Sequence, residues 1–161
     1  MKEKLRDCMR ILGIDPGYGT IGFGVIDCHS RSDLQYVDSG SITTDKKAEF
    51  SARLNELYED MVHILDKYKP EIVVVERLFF AQNVTTAMMV AEARGVILLA
   101  AERFGAEIHE YTPLQIKMAL TGDGKAKKSQ VKEMVLKFLK VDKIPGPDDV
   151  LDALAVAITC V

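Results

Sequence analysis

Four acidic residues have the types and spacing needed to bind a divalent metal ion. Asp15 follows a short aliphatic run that Pro16 ends, and Glu76 follows the apolar run 72–75, so each is expected at the end of a strand. Asp149 and Asp152 are three residues apart in a predicted helix and project from one side of it. Carboxylates held close together repel one another unless they share a cation. Oxygen ligands without nearby Cys or His favour Mg²⁺ or Mn²⁺ over zinc.

Each acidic residue also has an ordinary structural explanation. Asp148 follows Pro147 and fits a helix N-cap, Asp149 fits the positive end of the helix dipole, and an Asp before Pro-Gly is a common turn residue. Glu76 is harder to explain in this way, because an acid directly after four aliphatic residues risks burial without a partner. The joint occurrence favours a metal site, although spacing alone leaves Asp148 and Asp149 as alternatives beside Asp152.

The whole chain fits one compact, water-soluble domain. It has 161 residues, is 48% hydrophobic, and contains no long Pro, Ser or Gly tract. No apolar stretch is expected to be long enough to cross a bilayer, and no signal-peptide pattern opens the chain, so no membrane association and a cytoplasmic location are expected. Cys8, Cys28 and Cys160 lack metal-binding spacing and are interpreted as reduced thiols.

A basic block lies in the C-terminal third of the chain. Residues 121–143 contain seven lysines and three acidic residues, a net charge of +4 in a chain whose total is −3. Such a block is usually a solvated helix face. Because carboxylate-bound metals act on anionic substrates, it is also a candidate surface for binding phosphate groups.

The hydrophobic periodicity predicts a mixed sheet covered by helices on both faces, a fold of the α/β class. Three early strands should form an antiparallel meander, and the apolar run 72–75 should be a fully buried strand. The helix 84–104 is apolar nearly all round, which places it inside the protein or at a subunit interface. The predicted strands are 10–15, 21–26, 34–42, 72–75 and 107–111, and the predicted helices are 50–68, 84–104, 114–120, one that includes 131–138, and 149–159.

Five motifs together resemble one known family. They are Ile14-Asp15-Pro16-Gly17 with Thr20, Gly22 and Gly24; Val75-Glu76 with Phe79; Ala93-Arg94-Gly95; Lys128-Ser129-Gln130-Val131; and Asp149-Val150-Leu151-Asp152-Ala153-Leu154-Ala155. In combination they resemble the RuvC Holliday-junction resolvases from Met9 to the end of the chain. The resemblance implies a ribonuclease-H-like mixed five-stranded sheet flanked by helices, with residues 9–161 as a single nuclease domain and 1–8 as an N-terminal extension.

The resemblance also implies an activity. The family members are homodimeric, Mg²⁺-dependent endonucleases that resolve four-way DNA junctions by paired symmetric cuts in homologous recombination and DNA repair. Asp15, Glu76, Asp149 and Asp152 match the family's catalytic carboxylates, which hold two Mg²⁺ ions, with Mn²⁺ as a substitute, and leave 5′ phosphates. The family register selects Asp149 over Asp148. A branch-migration complex of RuvA and RuvB is the implied partner.

Three residues match the family's DNA contacts. Phe79 corresponds to an aromatic residue that stacks on a base near the cut, an interaction of roughly 1–3 kcal/mol. Lys117 and Lys128 match basic residues that are important for activity in the family. Some members have a histidine at the third acidic position, where this chain has Asp149.

Three other functions are consistent with parts of the sequence. The Gly-rich turn after Asp15 also occurs in actin-like ATPases, which need a second lobe with a second phosphate loop. A ribonuclease-H-like nuclease of the YqgF type would act on RNA and should lack the Phe79 and lysine features. A non-catalytic junction-binding module would not need all four carboxylates.

Overall fold

A computed structural model describes residues 8–77 and 84–161 of the chain. Within these residues the chain forms five strands and five helices. In chain order they are β1 (Met9–Asp15), β2 (Thr20–Ser30), β3 (Asp33–Thr43), α1 (Phe50–Tyr68), β4 (Ile72–Glu76), α2 (Val84–Phe104), β5 (Glu107–Tyr111), α3 (Pro113–Thr121), α4 (Lys128–Leu139) and α5 (Asp148–Thr159).

The strands form one mixed sheet in the order β3-β2-β1-β4-β5, which confirms the predicted five-stranded α/β fold. β1, β2 and β3 are antiparallel neighbours, whereas β4 is parallel to β1 and β5 is parallel to β4. Ile14 pairs with Val75, so Asp15 and Glu76 end adjacent strands at the same edge of the sheet. We call this the carboxyl edge.

Helices cover the sheet on both faces. α1 and α2 pack on one face, where Leu12 and Val73 meet Leu57 and Ile97. α3, α4 and α5 pack on the other, where Ile11 and other residues of the central strands meet their apolar side chains. The alternation of side chains along a strand places Asp15 and Glu76 on the α3–α5 face, the same face as Ile11.

The helix boundaries follow local signals in the sequence. α1 ends at Tyr68, and its C-cap residue Lys69 adopts a left-handed conformation before Pro70. α3 begins one residue earlier than predicted, because Thr112 and Gln115 form a capping box around Pro113. α5 begins after Pro147, whose position is the N-cap, so the interpretation of Asp148 as an N-cap is wrong.

α2 is apolar over a longer stretch than was expected anywhere in the chain. By length and composition alone this 21-residue helix could cross a membrane, with a mean hydropathy of 1.5, although no stretch was expected to be long enough. One side of it, including Ala93, Ile97 and Ala101, packs in the core with α1, whereas Met88 and Leu99 are exposed. A core helix of a soluble domain meets the same criterion, so the length of α2 is weak evidence for a membrane span.

Candidate active site

α5 approaches the sheet closely because glycines in β1 and β2 leave room for its backbone. A Cβ atom on Gly13 would lie 2.2 Å from the carbonyl oxygen of Ala153, and one on Gly22 would lie 2.1 Å from that of Asp149. Any larger residue would push the helix outward. The glycines therefore determine how near the acidic first turns of α5 lie to Asp15.

Three carboxylates converge at the carboxyl edge. Oxygen atoms of Asp15, Asp149 and Asp152 all lie within 4.8 Å of one another. Opposite ligands of an octahedral Mg²⁺ ion are separated by about 4 Å, twice the usual Mg–O distance. The cluster therefore fits a hard divalent cation with only small side-chain movements, and its donors are all oxygen atoms.

Glu76 extends this cluster along the sheet. Its carboxyl group shares a hydrogen bond with that of Asp15, which requires a proton on one of the two groups. Burial, together with the hydrogen bond to Glu76 and the charges of Glu76, Asp152 and Asp149, raises the pKa of Asp15 to about 8. Burial also raises the pKa of Glu76. A divalent cation would replace the shared proton and bind both carboxylates, so metal affinity should increase with pH.

The raised pKa of Asp15 predicts a pH-dependent stability. Between the ordinary pKa of 3.8 and the folded-state value of about 8, the folded protein binds more protons than the unfolded chain. The contribution of Asp15 to the free energy of unfolding is therefore fully present below about pH 4 and is lost as the pH rises to about 8. In a chelator, Asp15→Asn should consequently be more stable than the wild type at pH 8 by about 1–3 kcal/mol.

Urea unfolding from pH 5 to 8, with and without Mg²⁺, measures this effect. The difference between Asp15→Asn and wild type should grow with pH in chelator and shrink when Mg²⁺ is added. Asp142→Asn, which changes an exposed carboxylate, serves as the matched control and should show no such trend. A pH-independent difference for Asp15→Asn would contradict the raised pKa.

Both predicted lysines line the same cleft as the carboxylates. The cleft has a volume of about 300 Å³, and its lining includes Asp15, Glu76, Lys117, Lys128 and Asp152. The Nζ atom of Lys128 lies 2.6 Å from Oδ2 of Asp152, and this hydrogen bond raises the pKa of the lysine. A cleft with carboxylates at its base and ammonium groups on its wall suits a phosphodiester that bridges a metal ion and a lysine.

The two adjacent aspartates of α5 have different surroundings. Asp149 belongs to the carboxylate cluster, whereas Asp148 is exposed and its Oδ1 atom lies 2.6 Å from Nζ of Lys132. The ammonium of Lys132 lowers the pKa of Asp148. Asp148 therefore anchors α4 to α5 at the surface and does not contact the cluster.

Arg94 was noted in the sequence only as part of a motif, and the structure gives it a position. Its Nε atom donates a hydrogen bond to the carbonyl oxygen of Glu76 at 3.3 Å, and its Nη2 atom pairs with Glu110 on β5. Arg77 pairs with the same carboxylate at 3.3 Å. Arg94 thus ties α2 to the end of β4 beside Glu76. The only signal of this role in the sequence was the motif Ala93-Arg94-Gly95.

Phe79 and the basic block 121–143 were the remaining candidates for DNA contacts. Phe79 lies outside the described residues, so its predicted stacking role stays a prediction. The basic block is partly neutralised, since Lys132, Lys137 and Lys140 form ion pairs with Asp148, Glu133 and Asp33. The pairs of Lys137 and Lys140 are exposed, which agrees with the interpretation of much of the block as a solvated helix face.

Comparison with known proteins agrees with the resemblance found in the sequence motifs. Residues 11–160 match the family model described as crossover junction endodeoxyribonuclease RuvC. The chain is 50% identical over 151 residues to the Brevibacillus brevis protein of that name, covering 94% of this chain and 90% of the relative. It is 48% identical over 149 residues to the Thermosipho melanesiensis protein, covering 92% and 94%.

Solved structures of the family are also similar. The Thermus thermophilus RuvC structure has a TM-score of 0.86 at 32% identity, with 94% of this chain and 92% of that chain covered. The same protein in complex with a Holliday junction substrate has a TM-score of 0.82 at 30% identity, with 94% and 91% covered. Taken together with the carboxylate cluster at the sheet edge, these matches show that the chain belongs to the RuvC family of crossover junction endodeoxyribonucleases.

Proposed function

We propose that this chain is a Mg²⁺-dependent endonuclease that resolves four-way DNA junctions by paired symmetric cuts in homologous recombination and DNA repair. The observation that carries the proposal is the cleft in which Asp15, Glu76 and Asp152 lie beside Lys117 and Lys128. A relative of the same family, Thermus thermophilus RuvC, has been solved with a Holliday junction substrate. In this proposal residues 9–161 are the nuclease domain and residues 1–8 are an extension.

The four carboxylates are proposed to hold two Mg²⁺ ions, with Mn²⁺ as a substitute. Asp15 shares a hydrogen bond with Glu76 and lies within 4.8 Å of Asp149 and Asp152, which supports a role for it as a ligand of both ions. When bound, such ions activate a water molecule as nucleophile and stabilise the leaving 3′ oxygen, which leaves a 5′ phosphate. Asp15 and Glu76 would have to lose their shared proton to hold such an ion.

Lys117 and Lys128 are proposed to bind the phosphate groups of the strand that is cut. Lys128 is paired with Asp152 in the structure, so its ammonium partly neutralises the acidic cleft. A phosphate bound in the cleft would give Lys128 a second anionic partner, and Asp152 would then be free to hold the cation. Phe79 is proposed, from the family resemblance, to stack on a base near the cut.

Paired cuts require two active sites, and α2 offers a surface for a homodimer. Val84, Met88, Gly95 and Leu99 are exposed and lie within about 60° of one another around the helix axis. A Cβ atom on Gly95 would meet nothing within 4 Å, so a second helix could approach closely there. A symmetric dimer would bury this apolar stripe twice, once on each copy.

Leu99→Glu tests the dimer. A charge on the stripe would occur twice in a symmetric interface, so the dissociation constant of the dimer should rise on the order of 100-fold. Sedimentation velocity over a concentration series measures it, with Leu114→Glu on α3 as the control for adding charge at an equally exposed leucine. A wild type that is monomeric at micromolar concentration, or a Leu99→Glu protein that dimerises normally, would contradict the proposal.

The remaining partners follow from family membership. A branch-migration complex of RuvA and RuvB is the proposed partner, and the cytoplasm is the proposed location because the substrate is chromosomal DNA. Membership of the RuvC family favours the junction nuclease over the actin-like ATPase, the RNA nuclease and the non-catalytic module.

A substrate panel tests the function. The purified protein is incubated with a labelled four-way junction, a linear duplex, a single DNA strand and a structured RNA, each with Mg²⁺ or with chelator. We expect rapid, symmetric cutting of the junction only, with ligatable 5′ phosphates, and none in chelator. Equal cutting of the duplex would disprove junction selectivity, cutting of RNA alone would favour the YqgF-type alternative, and cutting in chelator would exclude metal dependence.

A further inference from the structure

Tyr18 lies in the turn between β1 and β2, three residues after Asp15. Its side chain is one of the large apolar groups left exposed, at 46%. Consecutive Cα atoms are 3.8 Å apart, so the Cα atom of Tyr18 is at most about 11 Å from that of Asp15. An aromatic ring is therefore exposed within reach of the nucleotides that flank a phosphate bound at the carboxylates.

A buried arginine supports this ring from below. Arg53 is only 7% exposed, and its Cζ atom lies 5.3 Å from the ring centroid of Tyr18 and 5.7 Å from that of Phe50. Its Nε atom donates a hydrogen bond to Oγ1 of Thr44 at 3.1 Å. Among the residues that the structure describes, no carboxylate forms an ion pair with Arg53. A buried cation without a counter-ion is costly, and the two ring faces offset only part of that cost.

Tyr18 and the lysines of the cleft lie on opposite faces of the sheet. Lys117 and Lys128 belong to α3 and α4, on the face where Asp15 points. Tyr18 and Arg53 line a small hollow on the α1–α2 face. Met89 of α2 and residues of the hydrophobic core on that face also line it. A DNA strand whose phosphate binds at the carboxyl edge would have nucleotides on either side of that phosphate, and one of these neighbours could reach the α1–α2 face. Lys117 and Lys128 could contact the strand only on the α3–α5 face.

We propose that the ring of Tyr18 is a stacking surface for a nucleotide beside the scissile phosphate, with Arg53 as the positioning residue that holds the ring. The inference rests on the proposed nuclease function and adds a DNA contact on the α1–α2 face. A guanidinium under one face of the ring fixes its orientation, and the exposed face is free to stack on any base. The uncompensated charge of Arg53 adds attraction for the nearby phosphates.

Fluorescence of 2-aminopurine tests the contact without cleavage. The fluorophore is placed singly at the nucleotides on each side of the mapped cut, and the junction is bound to the Asp15→Asn protein. Stacking on Tyr18 should quench one of these positions. Tyr18→Leu should abolish that quenching, whereas Tyr18→Trp should retain it. Tyr36→Leu, at a tyrosine of β3 paired with Ile26 and away from the carboxyl edge, is the matched control and should leave the quenching intact.

Cleavage kinetics provide the second readout. Tyr18→Leu should lower the single-turnover rate about tenfold, while the affinity for the whole junction changes less than about threefold, because one stack is a small part of a large interface. Arg53→Lys should retain more of the rate than Arg53→Met. Thermal unfolding separates these effects from lost stability, and the Tyr18 series stands alone if an Arg53 variant does not fold.

The outcomes distinguish the two proposals. If the wild type does not cut junctions, the proposed function fails. If it cuts them, and Tyr18→Leu keeps both the quenching and the rate, only the role of Tyr18 is disproved. If Tyr18→Leu lowers the melting temperature but leaves the quenching unchanged, Tyr18 only covers Arg53, and the stacking proposal is overturned.

Discussion

Asp15→Asn should bind a four-way junction as tightly as the wild type and cut it on the order of 10³-fold more slowly. Asp15 shares a hydrogen bond with Glu76, and its carboxylate lies within 4.8 Å of those of Asp149 and Asp152. An amide has no charge to bind a metal ion, so its introduction disturbs both proposed metal positions at once. DNA affinity should persist, because the substitution leaves Lys117 and Lys128 unchanged and adds no negative charge to the cleft.

Single-turnover cleavage and gel-shift titration with the same labelled junction measure the two quantities. Asp142→Asn, an exposed change on the loop before α5, is the control and should cut at the wild-type rate. Raising the Mg²⁺ or Mn²⁺ concentration should restore only part of the activity. Undiminished cutting by Asp15→Asn would disprove the metal assignment, and loss of junction binding would show that Asp15 acts mainly in DNA affinity.

Asp149→Asn and Asp148→Asn form the second test, and they should differ strongly although the residues are adjacent. Asp149 lies in the carboxylate cluster, so its neutralisation should lower the cleavage rate on the order of 10²-fold. Asp148 is exposed and paired with Lys132, so its neutralisation should change the rate less than about threefold. The two variants remove the same charge from the same turn of α5.

The comparison is made at several Mg²⁺ concentrations. The rate of Asp149→Asn should require more Mg²⁺ to reach its maximum, whereas the requirement of Asp148→Asn should match that of the wild type. Equal defects in the two variants would mean that net charge, and not metal binding, controls the rate. A larger defect in Asp148→Asn would reverse the assignment of the third carboxylate.

Several features of the fold could be predicted from local patterns. The fully apolar run before Glu76 predicted a strand buried on both faces, and β4 is that strand. Helical spacing from Phe50 to Tyr68 predicted where α1 begins, and Pro70, which a helix cannot continue through, predicted where it ends. These predictions succeed because burial periodicity and the missing N–H of proline act within a few residues.

Other features depend on contacts between residues that are distant in sequence. Spacing along α5 could not separate Asp148 from Asp149, because both share a face of the helix with Asp152. The choice depends on the packing of α5 against Gly13 and Gly22, which turns Asp149 toward Asp15. The roles of Arg94 and Arg53 likewise appear only when α1, α2 and the strand ends are brought together.

The sequence by itself predicted the ligand chemistry and the position of Asp15 and Glu76 at the ends of strands. Acidic residues placed after aliphatic strands specify oxygen ligands at strand ends, and this information is local. Only the tertiary structure decided which acids meet, which lysines face them, and where a buried arginine supports Tyr18. These relations depend on the packing of helices on both faces of the sheet, and packing distances are set jointly by residues far apart in the chain.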